Sequence, residues 1–100
     1  MASSGELQGA TDMTLTAELS LYPLRDDYIP VIQAIIDDLN RRQDLTVVTN
    51  AMSTQIQGKH EVVMEAVSDA LRASAERCPA QVLVCKFIPM ALDITGFPDQ

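Results

Sequence analysis

The sequence predicts an α+β domain, a four-stranded antiparallel sheet with two helices on one face. Three observations predict it. Residues 13–22 alternate apolar and polar; residues 29–39 and 60–77 carry apolar side chains at helical spacing; three further β-rich stretches complete the order β-α-β-β-α-β. One hundred residues allow one domain with a thin core, and a hydrophobic content of 47% excludes general disorder.

In the first strand, Leu15, Ala17, Leu19 and Leu21 point one way and Thr14, Thr16, Glu18, Ser20 and Tyr22 the other, until Pro23 ends it. Asp26 or Asp27 is expected to cap the first helix, with Pro30 tolerated in its first turn. Ile29, Ile32, Ile35, Ile36 and Leu39 form its apolar stripe. Arg41 and Arg42 suit the helix dipole at its end. The β-branched run 45–51 predicts a second strand, and TQIQ at 54–57 a third. A tight hairpin or bulge at Ala51-Met52-Ser53 is expected between them, and Gly58 is expected to stop the third strand. The second helix, 60–77, carries Val63, Val67, Ala70, Leu71 and Ala75 on its inner face. Strand four is QVLVCKFI at 81–88, bounded by Pro79 and Pro89. Right-handed βαβ crossovers put both helices on one face, which is the ferredoxin-like arrangement with the first and third strands central.

Lys and Arg number seven against fourteen Asp and Glu, for a net charge of −7. Scattered cations and an acidic balance argue against nucleic acid and anionic lipid, and in favour of a cationic or neutral small ligand or a protein partner. No apolar run reaches the ~18 residues of a membrane span, so no membrane insertion is expected. Cys78 and Cys85 are read as reduced, small, mostly buried side chains, and one His with two separated Cys is no metal site. The start of the chain has neither the basic n-region nor the apolar h-region of a secretory signal, so a cytoplasmic protein is expected. Residues 1–12 are expected to form a flexible polar leader, 13–92 the folded ligand-binding domain, and 93–100 an irregular tail docked through Phe97.

Two helices cover one side of the sheet only. On the last strand Val82, Val84 and Ile88 fall on one face and Leu83, Cys85 and Phe87 on the other, so the open side is apolar at this edge. Val48 and Met52 point the same way. The expected cover is a second copy, in a homodimer or homotetramer; the alternative is a monomer with a modest apolar patch.

AELSLYPL at 17–24 followed by DYIPVI at 27–32, then TNAMSTQIQG at 49–58, resemble the thiamine-binding YkoF-like family, and VLVCKFIP at 82–89 is consistent with its last strand. The resemblance spans about residues 13–92. It implies a ferredoxin-like domain that binds thiamine or its hydroxymethylpyrimidine moiety without catalysis and without a further cofactor. Some members carry two such domains in one chain; here self-association would supply the second.

Candidate ligand-binding residues follow. Glu18, mid-strand on the non-helix face, is a partner for an aminopyrimidine edge or a cationic thiazolium ring, or else a plain surface charge. Ser20 and Tyr22 share that face and can orient or stack on a heterocycle, or pack at a subunit contact. Thr49 and Asn50 end the second strand. Asn offers both donor and acceptor to an aminopyrimidine, or serves the turn. Ser53 and Thr54 bond the ligand or the hairpin backbone, and the family motif matches at Asn50 and Ser53. Met52 lies against a flat ring or in a core or interface. Lys86 would oppose a cationic ligand, and His60 has no assigned role.

Two other functions compete. Acylphosphatases share the βαββαβ order, and Arg25 and Asn50 superficially mimic their Arg and Asn, yet no Gly-rich phosphate cradle is present and Asp26 and Asp27 would repel phosphate. No nucleophile–base pairing is evident either, so no enzyme is expected. An amino-acid-sensing or purely oligomeric interaction domain is the other alternative, since the fold serves many roles.

Overall fold

Residues 13–95 are described by the structure, a computed structural model. The expectations for residues 1–12 and for Phe97 lie outside the described residues.

The elements run β1 (Thr14–Pro23), α1 (Ile29–Asn40), β2 (Thr46–Thr49), β3 (Thr54–Lys59), α2 (His60–Arg77) and β4 (Gln81–Ile88). The sheet order is β2-β3-β1-β4 and every neighbouring pair is antiparallel. The fold is therefore ferredoxin-like, with β1 and β3 central. Alternation along β1 sends Leu15, Ala17 and Leu19 into the helix layer. There they meet Ile56 of β3, Ile35 and Leu39 of α1, and Val63, Ala66 and Ala70 of α2. Burying one such aliphatic side chain contributes roughly 1.5–3 kcal/mol.

Local details differ from expectation for identifiable reasons. Neither Asp26 nor Asp27 caps α1: the N-cap is Tyr28, whose carbonyl accepts from the Val31 and Ile32 N–H groups, both at 3.1 Å. Pro30 does sit in the first turn. Ile29 is 66% exposed, and Val31 takes a buried place instead. On α2 the buried stripe is Val63, Ala66, Ala70 and Ser74, leaving Leu71 exposed. Small residues there let the helix approach the sheet closely. Ser74 is buried because its hydroxyl donates to Gln81 Oε1 at 2.9 Å. β2 is four residues long, so Ala51 and Met52 belong to the loop.

Gly58 does not stop β3, which continues to Lys59 with Gly58 opposite Leu15. A Cβ at Gly58 would lie 3.1 Å from Leu45 Cδ2 and 3.2 Å from the Asp44 carbonyl oxygen. Glycine here permits close approach of the α1–β2 connection.

Charged side chains tie the helices together on their outer side. Arg77 of α2 reaches Asp38 of α1 at 2.8 Å, and Asp38 also accepts from Arg41. Arg42 contacts Glu65 at 2.9 Å and Asp69 at 3.5 Å, both on α2.

The face away from the helices, for which the sequence predicts a second copy as cover, is partly covered by the chain itself. After Pro89 the chain turns back across this face. Thr16 Oγ1 donates to the Met90 carbonyl at 2.8 Å, and Gln57 Nε2 donates to the Leu92 carbonyl at 2.7 Å. Thr16 is thereby buried despite its outward parity. Ile94 and Thr95 reach the level of Glu18, Val48 and Gln55. On β4, Val82, Val84 and Ile88 stay exposed at 47%, 40% and 43%.

Candidate functional site

The hairpin joining β2 to β3 sets the position of most candidate residues. Thr49 and Thr54 are register partners, and their hydroxyl oxygens lie 3.0 Å apart. Asn50 N–H donates to the Ser53 carbonyl at 3.0 Å and closes the loop. Asn50 Oδ1 accepts from the N–H groups of Met52 and Ser53, at 2.8 and 3.1 Å. This is the local turn chemistry of Asn. It occupies the amide oxygen and leaves the Nδ2 group facing Gln55 Oε1 at 3.5 Å.

Beside this hairpin, on the helix side of the sheet, lies a cleft of about 140 Å³. Its wall is apolar: Leu19 and Leu21 of β1, Ile32, Ile35, Ile36 and Leu39 of α1, and Leu83 of β4. Ile32 and Ile36 are one turn apart, as are Ile35 and Leu39, so α1 presents two stacked pairs. The other wall is polar. Ser20 and Tyr22 reach it from the end of β1, and Thr49, Asn50, Met52, Ser53 and Thr54 from the hairpin. Seven of the eight sequence candidates thus line one cleft. Thr54 is 7% exposed, Thr49 is exposed and Met52 is 85% exposed, so the hydroxyl pair runs from the inside of the cleft to its rim and the thioether stands at the mouth.

Glu18 does not line this cleft. It faces the opposite side of the sheet, paired in register with Gln55 and Lys86. Ser53 Oγ donates to Glu18 Oε2 at 2.8 Å, Gln55 Nε2 donates to Ser53 Oγ at 2.7 Å, and Lys86 Nζ lies 3.8 Å from Glu18 Oε1. The carboxylate is therefore compensated by the protein's own groups. Ser20 and Tyr22 share the parity of Glu18 on β1 and border the cleft only because they stand at the strand end, where Glu18 does not reach.

The apolar wall was not singled out from the sequence. Its signal is the Ile32/Ile36 pair, which reads equally well as core packing. Nothing in periodicity shows where helix and sheet stop touching.

A cavity of about 150 Å³ lined by aliphatic and aromatic side chains accommodates a benzene-sized molecule, so a cleft of 140 Å³ suits one six-membered ring. The wall supplies flat apolar contact, and the hydroxyls supply donors and acceptors. Tyr22 is the sole ionisable side chain among the described lining residues. His60 lies at the other end of the sheet, where its N–H donates to the Met13 carbonyl at 2.8 Å. Among the described residues no three His, Cys, Asp or Glu side chains are grouped to hold a metal, and no helix is long and apolar enough to cross a membrane.

By architecture the chain is a ferredoxin-like domain with a ring-sized cleft at the hairpin end of its sheet. The model of the YKOF-related family matches residues 14–88, and the chain belongs to that family. Among solved structures, it is similar to a candidate thiamine biosynthesis/salvage protein from Thermotoga maritima, with 16% identity and a TM-score of 0.72 over 80% of this chain and 91% of that one. A protein from Streptococcus pneumoniae has 21% identity and a TM-score of 0.73, covering 85% and 93% of the two chains. A hypothetical protein from Methanocaldococcus jannascii has 24% identity and a TM-score of 0.69, covering 78% and 81%. These likenesses concern the fold. No curated protein matches the chain.

Proposed function

We propose that the cleft binds the aminopyrimidine ring of thiamine, or free hydroxymethylpyrimidine, without catalysing a reaction on it. The observation that carries this reading is the ring-sized apolar slot facing the Thr49–Thr54 hydroxyl pair. An aminopyrimidine is flat, apolar on its faces and lined with donors and acceptors on its edge, which matches that division of walls. Membership of the YKOF-related family and the thiamine-related description of the Thermotoga maritima protein support the same ligand. The rest of thiamine, its cationic thiazolium, would project past Met52 from an acidic molecule of net charge −7.

Several observations favour binding over turnover. Among the described residues that line the cleft there is no carboxylate, imidazole or thiol. The two residues that mimic an acylphosphatase are already engaged: Arg25 Nε donates to the Asp27 carbonyl at 2.9 Å, and Asn50 Oδ1 serves the hairpin. The protein acts, in this reading, in the cytoplasm as a self-associating carrier or sensor of the vitamin, with no cofactor of its own.

Thermal melting with thiamine, hydroxymethylpyrimidine and a panel of amino acids tests it. A ligand at one hundred times its Kd stabilises the folded state by about 2.7 kcal/mol, so the melting temperature should rise with the first two compounds only. No shift with millimolar thiamine overturns the proposal. A shift with an amino acid instead points to the sensing alternative, and hydrolysis of an acyl phosphate to the enzymatic one.

A further inference from the structure

The slot at the hairpin end takes one ring, and its mouth is built differently from its walls. Ile36 and Ile32 line it from α1 at one-turn spacing, and the same helical row continues one turn further to Tyr28. Tyr28 has helical backbone angles, φ −93° and ψ −21°, so the row reaches it unbroken. Its side chain stands half exposed beyond the slot. Met52 stands at the mouth from the hairpin side, and Tyr22 borders the slot from the end of β1.

Folding does not account for Tyr28. It occupies the N-cap of α1, where Ser, Thr, Asp or Asn would set a side-chain oxygen on the free N–H groups. Tyr28 makes no side-chain cap hydrogen bond; only its backbone carbonyl serves the helix, receiving the Val31 and Ile32 N–H groups. Nor does its ring fill the core, whose buried cluster is wholly aliphatic. An exposed aromatic face beside a slot attracts cations, because the ring quadrupole is negative on its face. Local charge has the same sign. The loop 24–28 joins β1 to α1 at this end of the sheet. In it Arg25 is held by Asp27: Nε donates to the Asp27 carbonyl at 2.9 Å, and the guanidinium lies 3.7 Å from the Asp27 carboxylate. That pair neutralises the loop's cation, and Asp26 adds a negative charge that has no ion-pair partner among the described residues.

We infer that the mouth is a second subsite, for an aromatic cation joined to the ring in the slot, with Tyr28 facing the cation and the Met52 thioether against its other side. The inference rests on the reading that the slot holds the aminopyrimidine, and it deepens that reading. The ligand for which the site is built is the two-ring thiamine cation, and free hydroxymethylpyrimidine fills only half of it. A one-carbon bridge sets the second ring directly beside the first, and Tyr28 stands one helical turn, about 5.4 Å, beyond Ile32. Tyr28 is then the residue that makes the site prefer a charged ligand over a neutral one of the same shape, with Asp26 adding a weaker, salt-sensitive attraction.

Titration calorimetry with three probes tests it: thiamine, hydroxymethylpyrimidine, and the neutral thiamine analogue in which carbon replaces the thiazolium nitrogen. The wild-type chain should bind thiamine about fivefold more tightly than the neutral analogue, the factor expected of one exposed cation–π contact. Tyr28→Leu keeps an apolar side chain but removes the quadrupole. It should abolish that preference and leave the affinities for hydroxymethylpyrimidine and the neutral analogue unchanged. Tyr28→Phe should retain the preference. Asp26→Asn should weaken thiamine binding alone, by about twofold at low salt, and the difference should vanish at about 0.5 M salt. Circular dichroism checks that each variant is folded, as expected when the capping group is the backbone carbonyl. Equal affinity of the wild type for thiamine and its neutral analogue overturns the inference and leaves the pyrimidine reading standing. So does a Tyr28→Leu variant that keeps the preference or weakens all three probes alike. Hydroxymethylpyrimidine that fails to bind the wild type removes the pyrimidine reading, and this inference with it.

Discussion

Filling the cleft should separate binding from stability, because the two respond with opposite signs. Ile36 is only partly buried and lines the apolar wall. In Ile36→Phe the ring enters a space of about 140 Å³, comparable to a cavity of about 150 Å³ that holds benzene. The larger side chain removes on the order of 40 Å² more apolar surface from water, which at 25 cal/mol per Å² stabilises the fold by about 1 kcal/mol. For a domain of this size that corresponds to a rise of roughly 4–8 °C in Tm. The same ring occupies the volume assigned to the pyrimidine, so affinity for thiamine and hydroxymethylpyrimidine should fall more than tenfold. Scanning calorimetry reads the first effect and titration calorimetry the second. Unchanged affinity in a stabilised variant would show that the ligand sits elsewhere. A loss of stability of about 1–3 kcal/mol, the ordinary cost of overpacking, would show that the slot is not open to a ring.

Three further outcomes are expected. Gly58→Ala should lower stability by about 1–3 kcal/mol in urea titrations, because the new methyl presses on Leu45 and on the backbone at Asp44. Asp38→Asn should cost about 1 kcal/mol and reduce the salt dependence of unfolding, because Asp38 is mostly buried between Arg41 and Arg77. Burial pushes the Cys85 thiol up from its ordinary range. Its labelling by a maleimide should therefore gain rate at a higher pH than a free thiol does, and a profile matching free cysteine would contradict the burial of that side chain.

Much of the fold was legible because period two and period 3.6 are local signals. The alternation of residues 14–22 and the proline stops around β4 were sufficient to place β1 and β4 within a residue. The same reasoning failed where a residue answers to a distant neighbour. Gly58 looks like a breaker in isolation, but its lack of a Cβ makes room for Leu45 and Asp44, which arrive from another part of the chain. Asp26 and Asp27 look like caps, but the helix begins at Ile29, after Tyr28, and Arg25 engages Asp27.

The candidate site divides along the same line. Its polar residue types were readable, hydroxyls and an amide around a turn, whereas the aliphatic stripe of α1 was read as core alone. The faces of the polar residues were not readable. A one-residue change of register inverts every side chain of a strand. The hairpin closed by Asn50 and Ser53 sets Glu18 opposite Gln55, so that Thr54 turns toward the helices and Glu18 away from them. The order of elements, the acidic balance and the chemistry available at the hairpin were determined by the sequence alone, since each depends on residues close together in the chain. Only the tertiary structure decided that the slot opens on the helix side, and that the chain's own end lies over part of the other face. Both depend on where separate layers meet or stop short of meeting, and no local pattern encodes that distance.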